Sequence, residues 1–471
     1  MTTPTDTVRP DTTSWVVPQR AAALTPAQDQ LLRPHLVNLT MGEFSSDGLW
    51  RTTRADVDAI FGEHLLRALN SARSAGRPLR LMFQAHGGLN NEATGLAIAQ
   101  KSVAWWQANG IYPIYFAWET GLFETIFQMM RAVPAGRSFA DYTSDPVVQE
   151  AVRTLQAPRV WGGMKQSAQM ASSPADGGAY YVAQQLGAFI KQHAGVQQDI
   201  ELHAVGHSAG SIFHAWFLPC ALALGAPQFR SLHLMAPAMR VDLFKQKLAP
   251  LLGAGRGIGE LTMYTMTEDL ETDDTCGGIY RKSLLYLIFH ALEAQRKTPI
   301  LGLEESLRAD PELRRLFGLD GNVSSASVIW SQTQARKGRS ASMATSHGSF
   351  DEDAATMGSI ARRILGKADA ETISEYRPAR HMRDAEPALV MNVAQTALHG
   401  AHRQLGESRV ADADLLELPE LAQLIALLQS VEHLLKSQLQ AAAPEMKRSS
   451  VDKAAPPQAE VEPLHGGERH R

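Results

Sequence analysis

One serine lies in a sequence pattern that is typical of an activated nucleophile. Ser208 is the centre of Gly206-His207-Ser208-Ala209-Gly210, with an apolar run before it and a helical pattern after it. The flanking glycines leave room for a tight strand-to-helix turn and for close packing of the helix. Such a turn exposes the serine above a sheet, near the positive end of the helix dipole. We therefore predict that Ser208 is the nucleophile of a covalent mechanism; the alternative is a plain turn with a capping serine.

A glycine-rich turn earlier in the chain could bind the oxyanion that attack on a carbonyl creates. The turn His86-Gly87-Gly88-Leu89 follows an apolar run and precedes a helical pattern. Glycine lets backbone N–H groups point at the reacting oxygen with no side chain in the way. We predict one donor here, the N–H of Gly88, and a second in Ala209, directly after the nucleophile. His86 is expected to fix the turn by hydrogen bonding; the alternative for the whole turn is a structural glycine-rich loop.

A histidine near the end of the predicted sheet could act as the general base. His347 lies in a polar stretch, between Ser346 and Gly348-Ser349, and a helical pattern follows it. In a triad that runs in the order serine, acid, histidine, the base comes last. We predict that His347 is this base. The other late histidines lie in an apolar helix, beyond the predicted sheet or in the tail: His290, His381, His399, His465 and His470.

The acid of such a triad should come from the loop after the predicted strand at 261–266. Its carboxylate holds the imidazole in the right tautomer and stabilises the imidazolium, so one well-placed group suffices. We predict Asp269, which lies a few residues past the strand end, with Asp273 and Asp274 as the alternatives. Glu268 and Glu271 belong to the same segment, and the members that are not the acid are expected to form a solvated loop.

No set of residues has the spacing of a metal or cofactor site. His203 and His207 are four residues apart, but they straddle a strand and a turn, so they do not share a helix face as the ligands of a zinc protease do. We expect His203 to be a core histidine and His207 to support the turn at Ser208. Cys220 and Cys276 do not have zinc-ligand spacing. We therefore predict neither a metal nor a cofactor.

The elements that must position these residues alternate along the chain. Short apolar runs and helical patterns follow one another, which is typical of an α/β protein with a mostly parallel sheet covered by helices. The predicted strands span 35–40, 79–84, 111–118, 200–205, 231–235, 261–266 and 326–330, and the clearest predicted helices span 91–108, 179–193 and 211–224. Ser208 follows the central strand of this series.

Two regions depart from the alternation. Residues 121–178 are too long for a strand-to-helix connection and contain an apolar helical pattern, which is typical of a lid over a site. Residues 371–443 are predicted to be helical, and a helix that begins at Pro419 has one apolar stripe that could pack on the body or on a second subunit. We predict that residues 15–370 form the main domain and that residues 1–14 and 444–471 are disordered.

The composition excludes some classes of protein. The chain has 471 residues, a net charge of −4 and 44% hydrophobic residues, an ordinary globular balance without the basic face of a nucleic-acid binder. No run reaches the roughly 18 apolar residues of a membrane-spanning helix, and the N-terminus lacks the pattern of a secretory signal. So few cysteines in so long a chain favour a reducing compartment. We therefore expect a cytoplasmic protein that binds no nucleic acid and has no transmembrane segment.

Taken together, HGGLNN at 86–91, GHSAGS at 206–211 and SHGSFD at 346–351 resemble the α/β-hydrolase superfamily. The chain looks most like bacterial serine hydrolases of undefined substrate that carry a His-Gly-Gly-Leu turn and a following Tyr-Pro strand, here from Tyr112-Pro113 to Trp118. This resemblance covers roughly residues 35–366. It implies a sheet of about eight strands with helices on both faces and a triad of Ser208, Asp269 and His347. The insertion at 121–178 and the region after about residue 371 lie outside it.

The predicted function is hydrolysis of an ester, as in a carboxylesterase or a lipase, through an acyl-serine intermediate. The expected partner is a small-molecule or lipid ester. Because the same residues can attack amides and thioesters, a serine peptidase or a thioesterase is an alternative. A second alternative is a catalytically silent protein that keeps the fold and binds a partner, or a second copy of itself, through the C-terminal helix.

Overall fold

The computed structural model describes residues 25–46, 49–87, 92–118, 125–126, 129–130, 145–193, 199–277, 279–322 and 324–377. The predicted disordered ends at 1–14 and 444–471 lie outside these residues. So do Gly88 of the glycine-rich turn and the helix predicted to begin at Pro419.

An eight-stranded sheet organises the described part of the chain. The strands lie in the order β2-β1-β4-β3-β5-β6-β7-β8. Neighbouring strands pair in parallel, except that β1 and β2 form an antiparallel pair at one edge. The strands are Leu36–Thr40 (β1), Glu43–Phe44 (β2), Leu79–Ala85 (β3), Ile111–Trp118 (β4), Ile200–His207 (β5), Phe229–Met235 (β6), Ile258–Thr265 (β7) and Ala326–Trp330 (β8).

The central strands are apolar along their whole length because both faces of the sheet are covered. Every residue of β4 is buried, although successive side chains point to opposite faces. Six of the eight residues of β7 are buried as well, and the intermediate ones lie near its start. Continuous burial of this kind is typical of parallel sheets packed between layers. The predicted α/β class with a mostly parallel sheet is confirmed at this level.

Helices occupy most of the connections between strands. They are Pro26–Leu32 (α1), Arg54–Ala59 (α2), Leu66–Ser74 (α3), Glu92–Ala108 (α4), Asp145–Thr154 (α5), Ala157–Ala171 (α6), Gly178–Gln192 (α7), Gly210–Ala223 (α8), Val241–Lys247 (α9), Glu268–Asp273 (α10), Leu284–Leu287 (α11), Glu304–Ala309 (α12), Pro311–Leu316 (α13) and Ala354–Leu365 (α14). Short π-helical turns at Ile60–Leu65 and Ile288–Leu292 extend α2 and α11. Within the described ranges, no helix is both long enough and apolar enough to cross a bilayer.

The second half of the predicted insertion is fixed to the body of the protein. The guanidinium of Arg153 in α5 donates hydrogen bonds to the carbonyl oxygens of Ala291 and Glu293, at 3.0 and 2.8 Å. From α6, the indole N–H of Trp161 and the ammonium of Lys165 each lie 2.6 Å from the buried carboxylate of Glu293. Residues 145–178 therefore form part of the packed structure.

Candidate active site

The backbone at Ser208 is held in an unusual conformation. Strand β5 ends at His207, helix α8 begins at Gly210, and Ser208 between them has φ of +50°. Few residues other than glycine adopt this left-handed conformation, because it brings Cβ close to the backbone. The Ser208 N–H donates to the carbonyl of Met235 at 2.8 Å, and the Ser208 carbonyl accepts from the N–H of Ala238 at 3.1 Å. The same carbonyl also accepts from the N–H and the hydroxyl of Ser211, at 3.1 and 2.6 Å. The strain is therefore supported by the segment that follows β6.

The two glycines beside this turn are required by close packing. A Cβ built on Gly210 would lie 2.1 Å from the carbonyl oxygen of Ala85 at the end of β3, far inside a normal contact. A Cβ on Gly206 would lie 3.0 Å both from the carbonyl oxygen of Gly210 and from the ring of His214. Only glycine lets α8 start this close to the sheet.

The structure brings together the two residues predicted as nucleophile and base. The Oγ of Ser208 lies 2.8 Å from Nε2 of His347, at the start of the helical turn His347–Ser349. For the serine hydroxyl to donate to Nε2, the ring hydrogen of the neutral imidazole must be on Nδ1. Burial lowers the pKa of His347 well below its usual value, and His207 nearby adds to this effect. A neutral ring is the form that can accept a proton from serine.

The acid predicted from the sequence, Asp269, does not lie beside His347. The segment after β7 forms helix α10, which leaves Asp269 and Asp273 exposed at its surface. Asp274 follows the end of this helix, and its Oδ2 accepts the backbone N–H of His347 at 2.8 Å. Burial raises the pKa of Asp274, partly offset by the N–H groups of His347 and Thr275. The geometry thus favours Asp274, the alternative, over Asp269.

The other ring nitrogen of His347 and one further acid are also buried. Among the described residues, Nδ1 of His347 has no hydrogen-bond acceptor. The carboxyl group of Glu271 is buried beside the hydroxyl of Ser283. Burial raises the pKa of Glu271 to about 8, and the charge of Asp274 adds to the shift. Glu271 was predicted to lie in a solvated loop, and its burial shows that this prediction is wrong. Glu271 and Asp274 are three residues apart, so a helical segment puts both on one face.

The described part of the glycine-rich turn lies against the nucleophile. A Cβ built on Gly87 would be only 3.1 Å from Cβ of Ser208. His86 fixes the turn: its Nδ1 donates to the Gly87 carbonyl at 2.6 Å, and its Nε2 accepts the backbone N–H of Trp118 at 3.3 Å. Ala209 directly precedes α8, and the first N–H groups of a helix have no acceptor within it. Gly88, the other predicted donor, lies outside the described residues.

A further carboxylate, not predicted from the sequence, lies beside His207. Asp351 is buried, and its Oδ2 is 3.4 Å from Nδ1 of His207. Nε2 of His207 donates to the carbonyl oxygen of His347 at 2.9 Å. The signal was present in the SHGSFD segment, because Asp351 follows His347 by four residues across a helical turn.

Ser208 is fully covered, with 0% of its surface exposed. One surface cavity of about 670 Å³ lies near the start of β3 and β4, beside Arg80 and Asn109. Another, of about 720 Å³, lies between α6, α8 and α9, beside Trp216 and Arg240. Neither is lined by Ser208 or His347. In the part of the chain that is described, no group of three or more His, Cys, Asp or Glu side chains could hold a metal ion.

Comparison with known proteins gives little similarity. No protein-family model matches the sequence, and no curated protein matches it either. A crystal structure of an uncharacterized protein from Pseudomonas aeruginosa is 11% identical, with a TM-score of 0.22, and the similar region covers 45% of this chain and 39% of that one. The chain therefore spans less than half of that protein, and a TM-score this low does not indicate a shared fold.

Proposed function

We propose that this protein is a serine hydrolase of the α/β-hydrolase type that cleaves a carboxylic ester. The observation that carries the proposal is the contact of 2.8 Å between Ser208 Oγ and His347 Nε2 at a strained strand-to-helix turn. The order of the elements agrees with this type: a turn after β3 lies against the serine, the serine follows β5, and the histidine comes after the last strand.

In the first half of the reaction, Ser208 Oγ attacks the carbonyl carbon of the ester and its proton moves to His347 Nε2. The carbonyl π electrons move to the oxygen, and the N–H groups of Ala209 and Gly88 donate hydrogen bonds to this oxyanion. When the oxyanion collapses, the bond to the alkoxy oxygen breaks. The leaving oxygen takes the proton from His347, so an alcohol departs and an acyl-serine remains.

In the second half, a water molecule replaces the alcohol. His347 Nε2 takes one proton of the water as its oxygen attacks the acyl carbon, and the same proton returns to Ser208 Oγ as the acid is released. The His347 ring is positive in both transition states. We propose that Asp274 stabilises that charge, because it is the acid of the 268–274 segment whose carboxylate lies at His347, where it accepts the main-chain N–H.

The proposed substrate is a small-molecule or lipid ester with an apolar acyl group. Two apolar side chains of the predicted lid, Ile126 and Met130, are buried. They lie in the segment that follows β4. Strand β4 is the neighbour of β3, which leads into the glycine-rich turn. A thioester or an amide would react through the same steps, so the leaving group must be identified by assay.

The experiment is labelling with a fluorophosphonate, which reacts with activated serines. We expect labelling of the wild-type protein and none of the Ser208→Ala variant. Ser231→Ala is the matched control: Ser231 is also buried, and its Oγ lies 2.7 Å from Nδ1 of His203 and 2.8 Å from Nε2 of His233. Ser231 lies within β6 and not at a turn, so this variant should still be labelled. A series of esters of increasing acyl length then defines the substrate.

A catalytically silent binding protein is the second candidate, and two observations favour it. Ser208 is fully buried, and Nδ1 of His347 has no acceptor among the described residues. The same experiment separates the two functions. A folded wild-type protein that is not labelled and hydrolyses no ester of the series would support the silent protein.

A further inference from the structure

A buried histidine–carboxylate pair contacts the main chain of His347, and the mechanism above does not use it. His207 donates from Nε2 to the carbonyl oxygen of His347 at 2.9 Å, while its Nδ1 lies 3.4 Å from Oδ2 of Asp351. The side chains of His207 and Asp351 are only 5% and 8% exposed. The rings of His207 and His347 are inclined by 29° with centroids 5.6 Å apart. His207 therefore contacts both the main chain and the ring of the predicted base, and Asp351 lies beside the other nitrogen of His207.

Both members of the pair are held in place by other elements. His207 is the last residue of β5, next to Ser208. The carbonyl oxygen of Asp351 accepts a hydrogen bond of 3.0 Å from the hydroxyl of Tyr376, and the adjacent Glu352 lies 3.2 Å from the ammonium of Lys101 in α4. The backbone of His347 is thus fixed at two points, its N–H by Asp274 and its carbonyl by His207.

The charges in this cluster favour an ionised pair. Burial acts to lower the pKa of His207, but the Asp351 carboxylate and the His347 carbonyl together raise it. Burial acts to raise the pKa of Asp351, but His207, a backbone N–H and Lys101 together lower it. The other titratable groups that face His207 are His86 and His347, and Lys101 acts on Asp351. A positive ring at His207 opposes a second positive charge on its neighbour His347.

We propose that His207 and Asp351 are positioning residues for the base. They fix the main chain of His347 so that its Nε2 meets Ser208, and their charge keeps its ring neutral until the serine proton is transferred. This inference rests on the proposed serine-hydrolase function.

The test is the rate of fluorophosphonate labelling as a function of pH in four proteins. Asp351→Asn keeps the His207 ring and an acceptor oxygen beside it, but removes the charge that holds the ring positive. His207→Gln/Asp351→Asn keeps a donor near the His347 carbonyl without either charge. His207→Phe/Asp351→Asn removes the donor as well. Thermal unfolding of each variant shows whether it is folded at the assay temperature.

Two shifts are expected. Labelling should fall at low pH because His347 becomes protonated. In Asp351→Asn and in His207→Gln/Asp351→Asn the neighbouring charge is lost, so this fall should move to higher pH by about one to two units. At the high-pH plateau, labelling of His207→Phe/Asp351→Asn should be slower than labelling of His207→Gln/Asp351→Asn by roughly 10²-fold, because His347 is no longer held in position against Ser208.

His35→Phe is the matched control. His35 is also a buried histidine whose Nδ1 donates to a carbonyl, that of Pro113 at 2.8 Å, but it precedes β1, away from the serine. Its pH profile should equal that of the wild type. If the low-pH fall is at the same pH in Asp351→Asn and wild type, or if the two double variants have equal plateaus, the positioning role is wrong while the serine-hydrolase function stands. A wild-type protein that is not labelled at Ser208 overturns both.

Discussion

At the scale of single residues, Ser208 and Ser231 show that a serine–histidine contact is not enough to define a nucleophile. Each has its Oγ within 2.8 Å of a histidine nitrogen, and each is buried. Ser231 lies inside a strand, and its hydroxyl bonds to the neutral rings of His203 and His233. These three side chains form a hydrogen-bonded network in the core. Ser208 has a left-handed backbone and a helix amide beside it. The proposed chemistry therefore depends on the backbone around the hydroxyl, which would supply a place for the oxyanion.

The first residue-level prediction identifies the triad acid. Asp274→Asn should lower the rate of ester hydrolysis by on the order of 10⁴-fold, because an amide cannot stabilise the imidazolium of His347. Asp269→Asn, in the exposed surface of α10, is the control and should cost little. Steady-state kinetics of the two variants would settle the choice. An equal loss in both, or a large loss in Asp269→Asn alone, would contradict the assignment of Asp274.

The second residue-level prediction concerns Glu271, which should make the stability of the fold depend on pH. Folding raises the pKa of the Glu271 carboxyl from 4.5 to about 8. Its contribution to stability is therefore complete below pH 4.5 and is lost as the pH rises from 4.5 to about 8. The free energy of unfolding should fall by ~1.4 kcal/mol per pH unit there. Urea denaturation of Glu271→Gln should not show this fall. Glu268→Gln, an exposed position in the same helix, should behave like the wild type.

At the scale of elements, the strands were predictable and the acid was not. β4 and β8 match their predicted bounds, and the other predicted strands differ from them by a few residues at their ends. β2 was missed because a strand of two residues has no periodicity to detect. The choice between Asp269 and Asp274 could not be made from the sequence, because the segment after β7 coils into α10 and an acidic stretch does not reveal which carboxylate faces inward. Asp351 was missed because its partner, His207, is distant in sequence.

The start of α8 gives the element-level prediction. Gly210→Ala should lower the free energy of unfolding by about 1–3 kcal/mol, because the added methyl group meets the backbone of Ala85 and pushes the helix from the sheet. Labelling of Ser208 should fall as well. Gly162→Ala is the matched control: Gly162 is a helical glycine of α6 with nothing within 4 Å of its Cβ position, and alanine there should stabilise by roughly 0.5–1 kcal/mol. Equal stability of the two variants would contradict the close packing of α8.

At the scale of the whole molecule, the parallel sheet explains how a site can form from distant segments. Gly87 follows β3, Ser208 follows β5, Asp274 comes after β7 and His347 after β8. Strands that run in parallel end at the same edge, so the segments after them meet there. This rule makes the order of serine and histidine predictable from the sequence. It does not fix which side chain of each segment turns inward, because that depends on packing within the segment.

The last prediction concerns the chain beyond the sheet. Every residue of the candidate site precedes residue 378, whereas the apolar stripe of the predicted C-terminal helix includes Leu424 and Leu428. We therefore expect a chain that ends at residue 380 to keep the wild-type labelling rate at Ser208. The full chain should self-associate through the stripe, and light scattering should give the truncated chain the mass of a monomer. A full-length Leu424→Glu/Leu428→Glu variant keeps the length and should also be monomeric. If both of these proteins keep the number of subunits of the wild-type assembly, the stripe is not the contact between copies. Loss of labelling on truncation would instead mean that the stripe packs on the body.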